Sequence, residues 1–399
     1  MRRILTIGSV VIVLLGLGVA AYFYFFAGSA SVVVAPSGSA GLPTAGPGAA
    51  LSGETEGASG ALPDAPLPVS ARLVKISAGP VVPGEVVVNK IGTASSSPEV
   101  AVSYIERTSG NIFTYLAQAK TLTRTSNRTI PGIQSASWLP NASSAFVRYL
   151  SGEDFSTINT YALPSNGVGG FFLSQNLASV AVSSTGVLLT ASGVNGSTVS
   201  LARTDGTRAS QIFTTPLSAI RTSFAGKNQY LVYTKPSAAL PGAAFLVDSA
   251  GRFSRVAGPL HGLVALASPS GKWMLVSYTL NGTMQMKLVN TTSGADIALP
   301  VATIADKCVW TENDASLYCG IPTDPSSNAR HPDDWYQGAL HFSDRLWRID
   351  VASRYAQLVL DFSAETDVAL DAEALAVDSL ATVLVFVNKN DGSLWSYSL

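Results

Sequence analysis

Two cysteines and three histidines are all that 399 residues contain. So few sulfur and imidazole ligands exclude a cysteine-dense disulfide scaffold and an array of zinc fingers. Charge is scarce too: Asp, Glu, Lys and Arg make up 13% of the chain, and the formal net charge is −1. A balance this close to zero gives no bulk attraction to nucleic acid or to an anionic lipid surface. Helical periodicity is almost missing beyond residue 70. No P-loop, dinucleotide-binding glycine pattern, H-E-x-x-H pair or EF-hand loop occurs, and "GASGA" (57–61) lacks the last glycine of a nucleophile elbow. The expectation is therefore no cofactor, no resident metal and no catalytic residue, with an enzyme kept only as the third reading below.

One long apolar run is present, near the start. "ILTIGSVVIVLLGLGVAAYFYFF" (4–26) follows Met-Arg-Arg and holds no charge. As a helix it measures about 34 Å, enough to cross a ~30 Å hydrocarbon core. Arg2 and Arg3 favour a cytoplasmic N-terminus, and Tyr22 to Phe26 suit the aromatic belt of the far interface. "GSA" (28–30) would serve as a cleavage site, but the run exceeds the roughly 7–15 residues of a signal-peptide core. Residues 1–26 are thus expected to form an uncleaved signal anchor, a single transmembrane helix that holds the rest of the protein outside the cytoplasm. Residues 27–68 are mainly Gly, Ala, Ser and Pro, a composition too poor in apolar surface to offset ordering entropy. They are expected to be a disordered linker with an r.m.s. span of about 35 Å.

From residue 69 to 399 the pattern is alternation, broken by the turns that 35 glycines and 21 prolines supply. Strand–turn–strand openers recur at "GIQSASWLPNASSAFVRYL" (132–150), "NLASVAVSSTGVLLTASG" (176–193), "SAIRTSFAGKNQYLVYT" (218–234) and "HGLVALASPSGKWMLVSYT" (261–279). Two more follow, "IADKCVWTENDASLYCGI" (304–321) and "ALDAEALAVDSLATVLVFVN" (369–388). Ile133, Leu177, Ile220, Leu263 and Ala305 fall 42 to 44 residues apart, and each opener is followed by a third and usually a fourth strand. A period of about 40–45 residues built from four strands marks a β-propeller blade, which buries its faces only on neighbouring blades. The turns "SPSGK" (268–272) and, more loosely, "WLPNAS" (138–143) resemble those of TolB-like and WD-repeat-like propellers, although no Trp-Asp pair closes a blade. The resemblance extends over about 330 residues and implies architecture alone.

The fold expected is all-β, a seven-bladed propeller, with six or eight blades as the alternatives if a degenerate unit is miscounted. The final unit ends at its third strand, "LWSYS", while "ARLVKIS" (71–77) is a strand without a partner of its own. Pairing 71–77 with the last blade would close the circle.

Cys308 and Cys319 stand opposite each other in a hairpin turning at Asn313-Asp314, which predicts a disulfide in an exported domain. The one irregular stretch is 323–347, about 20 residues of insertion between the second and third strands of its unit. It gathers His331, Asp333, Asp334, Trp335, Tyr336, His341 and Asp344. These are the candidate ligand contacts, because loops that depart from a scaffold are where binding sites tend to be built. The bland alternative is a loop packed on itself that caps the ring. Three readings of function follow: a scaffold that binds an envelope protein, a module that binds surface carbohydrate through Trp335 and Tyr336, and a glycan-active enzyme.

Overall fold

The computed structural model describes residues 72–90, 99–325 and 329–399. The segments read as signal anchor (1–26) and linker (27–68) lie outside the described residues. Among the described residues no helix is long and apolar enough to cross a membrane.

The alternating stretches form strands, arranged as five four-stranded sheets and one seven-stranded sheet. The first sheet holds Val86–Lys90, Glu99–Ile105, Ile112–Leu116 and Thr121–Arg124. The strands between 133 and 172 form the second, and those between 177 and 215 the third. The seven-stranded sheet runs from 220 to 298 and the fifth sheet from 308 to 361. Every pairing is antiparallel between neighbours in the chain, with one exception. The last sheet combines Ala372–Val377, Val383–Asn388 and Leu394–Ser398 with Leu73–Lys75, from the other end of the described chain.

The seven-stranded sheet exists because of one strand of 15 residues, Phe253–Ala267. Its first half pairs with Pro241–Asp248 and its second half with Trp273–Leu280, so that His261 faces both Pro241 and Thr279. The register shifts on both sides of this corner, which lets the strand leave one group of four and enter the next.

Sheets bury their faces on one another. Phe146 and Ala162 of the second meet Leu177 and Val187 of the third. Leu188 and Phe213 of the third meet Ile220 and Val232 of the seven-stranded sheet. Leu346 and Leu360 of the fifth meet Leu384 and Phe386 of the last. Val383, Val385 and Val387 of the last sheet meet Val100 and Val102 of the first, so the packing returns to its start.

At that return Leu73 faces Tyr397, Val74 faces Ser396 and Lys75 faces Trp395. The Ser398 amide donates to the Arg72 carbonyl at 3.0 Å, and the Ile76 amide to Leu394 at 2.9 Å. The Arg72 guanidinium lies 4.8 Å from the centre of the Tyr397 ring and donates to the Ser398 carbonyl.

The disulfide is present. Cys308 and Cys319 are register partners with Cα atoms 4.1 Å apart, and Asp314 takes a φ of 58° in the turn between them. Asp tolerates that left-handed conformation better than most residues because its short polar side chain bonds locally. Here the carboxylate also accepts from Ser268 at 2.9 Å, tying the hairpin to the neighbouring sheet.

Candidate functional site

The insertion in the fifth sheet leaves strand Ser316–Pro322, makes a single helical turn at Asp333–Tyr336 and returns at strand Asp344–Asp350. Its candidate residues do not converge on solvent. Trp335 is 3% exposed, and His331 and Asp344 are also buried. His331 stacks on Phe342 with ring centroids 6.0 Å apart. Its carbonyl accepts from Thr279 Oγ1 at 3.0 Å. That carbonyl sits over Gly262 (φ 62°), where a Cβ would approach it to 2.6 Å, so a side chain there would push the insertion away. Asp333 accepts from the Ala238 amide at 3.0 Å, and Asp334 pairs with Arg330 at 2.7 Å. Backbone and side-chain hydrogen bonds from Arg330 hold the Asp334 carboxyl below its usual range. Tyr336 is half-buried, and His341 alone of the seven is exposed. Trp335 therefore offers no ring face for a sugar to stack on. The insertion packs down on the neighbouring strands, with Trp335 and Phe342 covering buried charges beneath it.

Those charges are Lys307, Asp344 and Asp371. Lys307 Nζ is fully buried, lies 2.8 Å from Asp344 Oδ2, and is also ion-paired to Asp371 Oδ1. Taking such ions from water costs several kcal/mol each, and only well-directed partners offset that. Asp371 accepts from Trp335 Nε1 (3.0 and 3.2 Å) and from the Phe342 amide at 2.9 Å, while Asp344 accepts from the Ala372 amide at 2.7 Å. The Lys307 ammonium also lies 5.1 Å from the ring centres of both Trp335 and Phe342. One ammonium against two carboxylates is unbalanced. Burial accordingly pushes the Asp344 carboxyl up to about 6, with Lys307 opposing the rise and Asp371 adding to it.

Beside this cluster the Tyr336 hydroxyl donates to Asp306 Oδ2 at 2.6 Å, and Arg221 Nη1 donates to both (2.7 and 3.0 Å). Arg221 and Asp306 open onto a cleft of about 590 Å³. Its walls come from Ser179 of the third sheet and from Arg221 to Ser223 and Ala265 of the seven-stranded sheet, with Arg148 and Lys235 also lining it. A second cleft, about 450 Å³, lies on the second sheet. Arg128, Ile130, Tyr149, Leu150, Phe155 and Phe172 line it, with Tyr161 behind. Phe155 is 66% exposed, Phe172 62% and Leu150 44%. Among the described residues no group of three His, Cys, Asp or Glu side chains is placed to ligate a metal.

Lys307, Asp371, Asp306 and Arg221 were not singled out from the sequence. A lysine one residue before an apolar strand reads as solvent-facing. The signal that existed is positional: Asp306 and Asp371 both stand just ahead of the first strand of a repeat unit, where a polar residue faces the same end of the ring.

Comparison with solved structures decides the architecture. An oligogalacturonate lyase in complex with manganese is similar at a TM-score of 0.56 and 8% identity, over 83% of this chain and 94% of that one. An oligogalacturonate lyase from Vibrio parahaemolyticus is similar at 0.56 and 7%, over 82% and 93%. The fold is a β-propeller. TolB from Acinetobacter baumannii is a further structural neighbour, at a TM-score of 0.43 and 10% identity over 79% of this chain and 80% of that one. The propeller resemblance read from the repeats holds at the level of architecture. At such identities the likeness is one of fold, and fold does not carry function with it. No protein-family model and no curated protein matches the chain. First strands of neighbouring blades contact one another, as 177–182 does 220–224 and 308–310 does 372–377. They are therefore the innermost strands, and the 590 Å³ cleft is lined by them at Ser179, Arg221 to Ser223 and Ala265.

Proposed function

We propose that the protein is a seven-bladed propeller, anchored in a membrane by residues 1–26 and held outside the cytoplasm on a linker (27–68), that serves as a binding platform for an envelope protein. The blade number rests on the strand Phe253–Ala267, which is the fourth strand of one blade and the first of the next. Counting it in both divides the seven-stranded sheet into two blades.

The observation that carries the binding role is the aromatic cleft of the second blade. Phe155, Phe172 and Leu150 stay exposed and come together beside Tyr149, Ile130 and Arg128 in one cleft. Soluble surfaces rarely leave contiguous apolar area uncovered without an interaction to cover it, and aromatic side chains with arginine are what protein interfaces concentrate at their centres. The rigid scaffold keeps the ordering cost of binding small, since these side chains sit on strands and tight turns.

Surface carbohydrate is the second reading, favoured by the Tyr149 and Phe172 rings rather than by the insertion. Crosslinking in intact cells followed by peptide mapping tests the platform. Crosslinks should fall between residues 128 and 172, and the double change Phe155→Ser with Phe172→Ser should reduce them at least tenfold. Crosslinks that map elsewhere and survive the double change would refute it. A glycan-array signal that the same double change abolishes would move the conclusion to carbohydrate.

A further inference from the structure

We infer that the 590 Å³ cleft on the inner strands is a binding site for a small anionic ligand carrying carboxylate or phosphate groups. This stands apart from the aromatic cleft and does not depend on the platform reading.

The cleft concentrates one sign of charge in a chain whose total is nearly neutral. Arg148, Arg221 and Lys235 line it, against the single acid Asp306. Asp306 is committed, since its Oδ2 accepts from both Arg221 at 2.7 Å and Tyr336 at 2.6 Å. Two positive charges are left over. Among the described residues the ion pairs include neither Arg148 nor Lys235.

Arg148 is held in place on strand Ser144–Ser151, where its Nη2 donates to the Leu177 carbonyl at 2.5 Å. Its Nε is buried with no acceptor among the described residues. A buried guanidinium donor without an acceptor costs free energy, and a guanidinium pairs well with carboxylate or phosphate through its other N–H donors. Burial also lowers the Arg148 pKa, the mark of a cation held partly away from water. The rest of the wall suits a polar anion: Ser218 and Ser223 supply hydroxyls, Thr222 bonds onward to Thr190 at 2.6 Å, and Tyr233 closes one side. A volume of about 590 Å³ lies within the usual range for small-molecule sites. Arg148 and Arg221 set in the wall of a cleft, with Lys235 exposed beside them, raise the local concentration of anions there.

Calorimetric titration of the full-length chain with citrate, D-glucuronate and inorganic phosphate tests the site, with D-glucose as the uncharged control. At least one anion should bind, glucose should not, and affinity should fall several-fold between about 50 and 200 mM salt. Lys235→Gln changes an exposed side chain that the fold does not use, and should weaken binding at least threefold. Arg148→Gln should weaken it tenfold or more. The ranking of phosphate against the two carboxylates tells which anion chemistry the cleft prefers. Absence of binding by all three anions, equal binding of glucose, or an affinity unchanged in Lys235→Gln would each overturn the inference.

Discussion

Lys307→Met should destabilise the propeller by about 3–5 kcal/mol, because it leaves two carboxylates without their counter-charge in a fully buried site. Methionine fills much of the same volume, so the loss is electrostatic and not a cavity effect. In a domain of this size that corresponds to a melting temperature lower by roughly 4–7 °C.

The loss should also depend on pH, with a sign fixed by Asp344. Its folded pKa of about 6 lies above the usual 3.8, so between those values the native state holds more protons than the unfolded one. Wild-type stability from this group is greatest below pH 4 and declines as pH rises to about 6. Removing the Lys307 ammonium takes away the charge that opposes this rise, and the decline should extend above pH 6. The variant should therefore look nearest to wild type at pH 4–5 and worst at pH 8. Asp344→Asn is the contrasting change. It keeps one ammonium on one carboxylate and an acceptor for the Ala372 amide, so it should cost less than about 1 kcal/mol and flatten the slope. Thermal melts across pH 4–8 decide both. A Lys307→Met protein as stable as wild type at pH 8 would mean the three groups are not packed together as described.

The second large effect is expected at the junction of the two chain ends. Deleting residues 72–77 removes the apolar side chains Leu73, Val74 and Ile76, of which Leu73 and Ile76 are buried. It also uncovers Trp395 and Tyr397 on the strand they cover. The lost burial alone is worth roughly 5 kcal/mol. The backbone of Leu394–Ser398 becomes an open sheet edge beside aromatic side chains, a template for pairing with other copies. Loss of a single cooperative melt, with aggregation below the wild-type melting temperature, is the expected outcome. A shortened chain that stays monomeric and melts as high and as sharply as the intact one would argue against the junction as a fastener. Differential scanning calorimetry paired with light scattering measures both properties.

The all-β architecture was legible because sheet burial writes itself as alternation. Val383, Val385 and Val387 read as one face of a strand, and they are the side chains that the last sheet packs on the first. The cysteine pair was legible for the same reason, since a hairpin fixes which residues oppose. The corner at Phe253–Ala267 was not: "RFSRVAG" and "HGLVALA" each read as a strand of its own unit, and only three dimensions reveal that the chain passes between them without stopping.

The candidate site was legible only as a place. The insertion at 323–347 stood out by length, yet Trp335 turned inward because a buried lysine and two carboxylates beneath it needed a donor and a cover. Lys307 and Asp371 lie 64 residues apart, and no local pattern announces a contact at that distance. The aromatic cleft escaped notice for the opposite reason. Phe155 and Phe172 fall at a hairpin tip and an edge strand of only two residues, positions where a repeat gives no expectation of what faces solvent.

The central claim is a ring closed by its own first strand, and amide hydrogen exchange measures it at two atoms. The Ile76 and Ser398 amides, which bond across the junction, should exchange as slowly as those of the buried strand Val383–Asn388, at a rate set by global unfolding. If they exchange within minutes, like amides at a frayed terminus, while Val383–Asn388 stays protected, the ring is not fastened there.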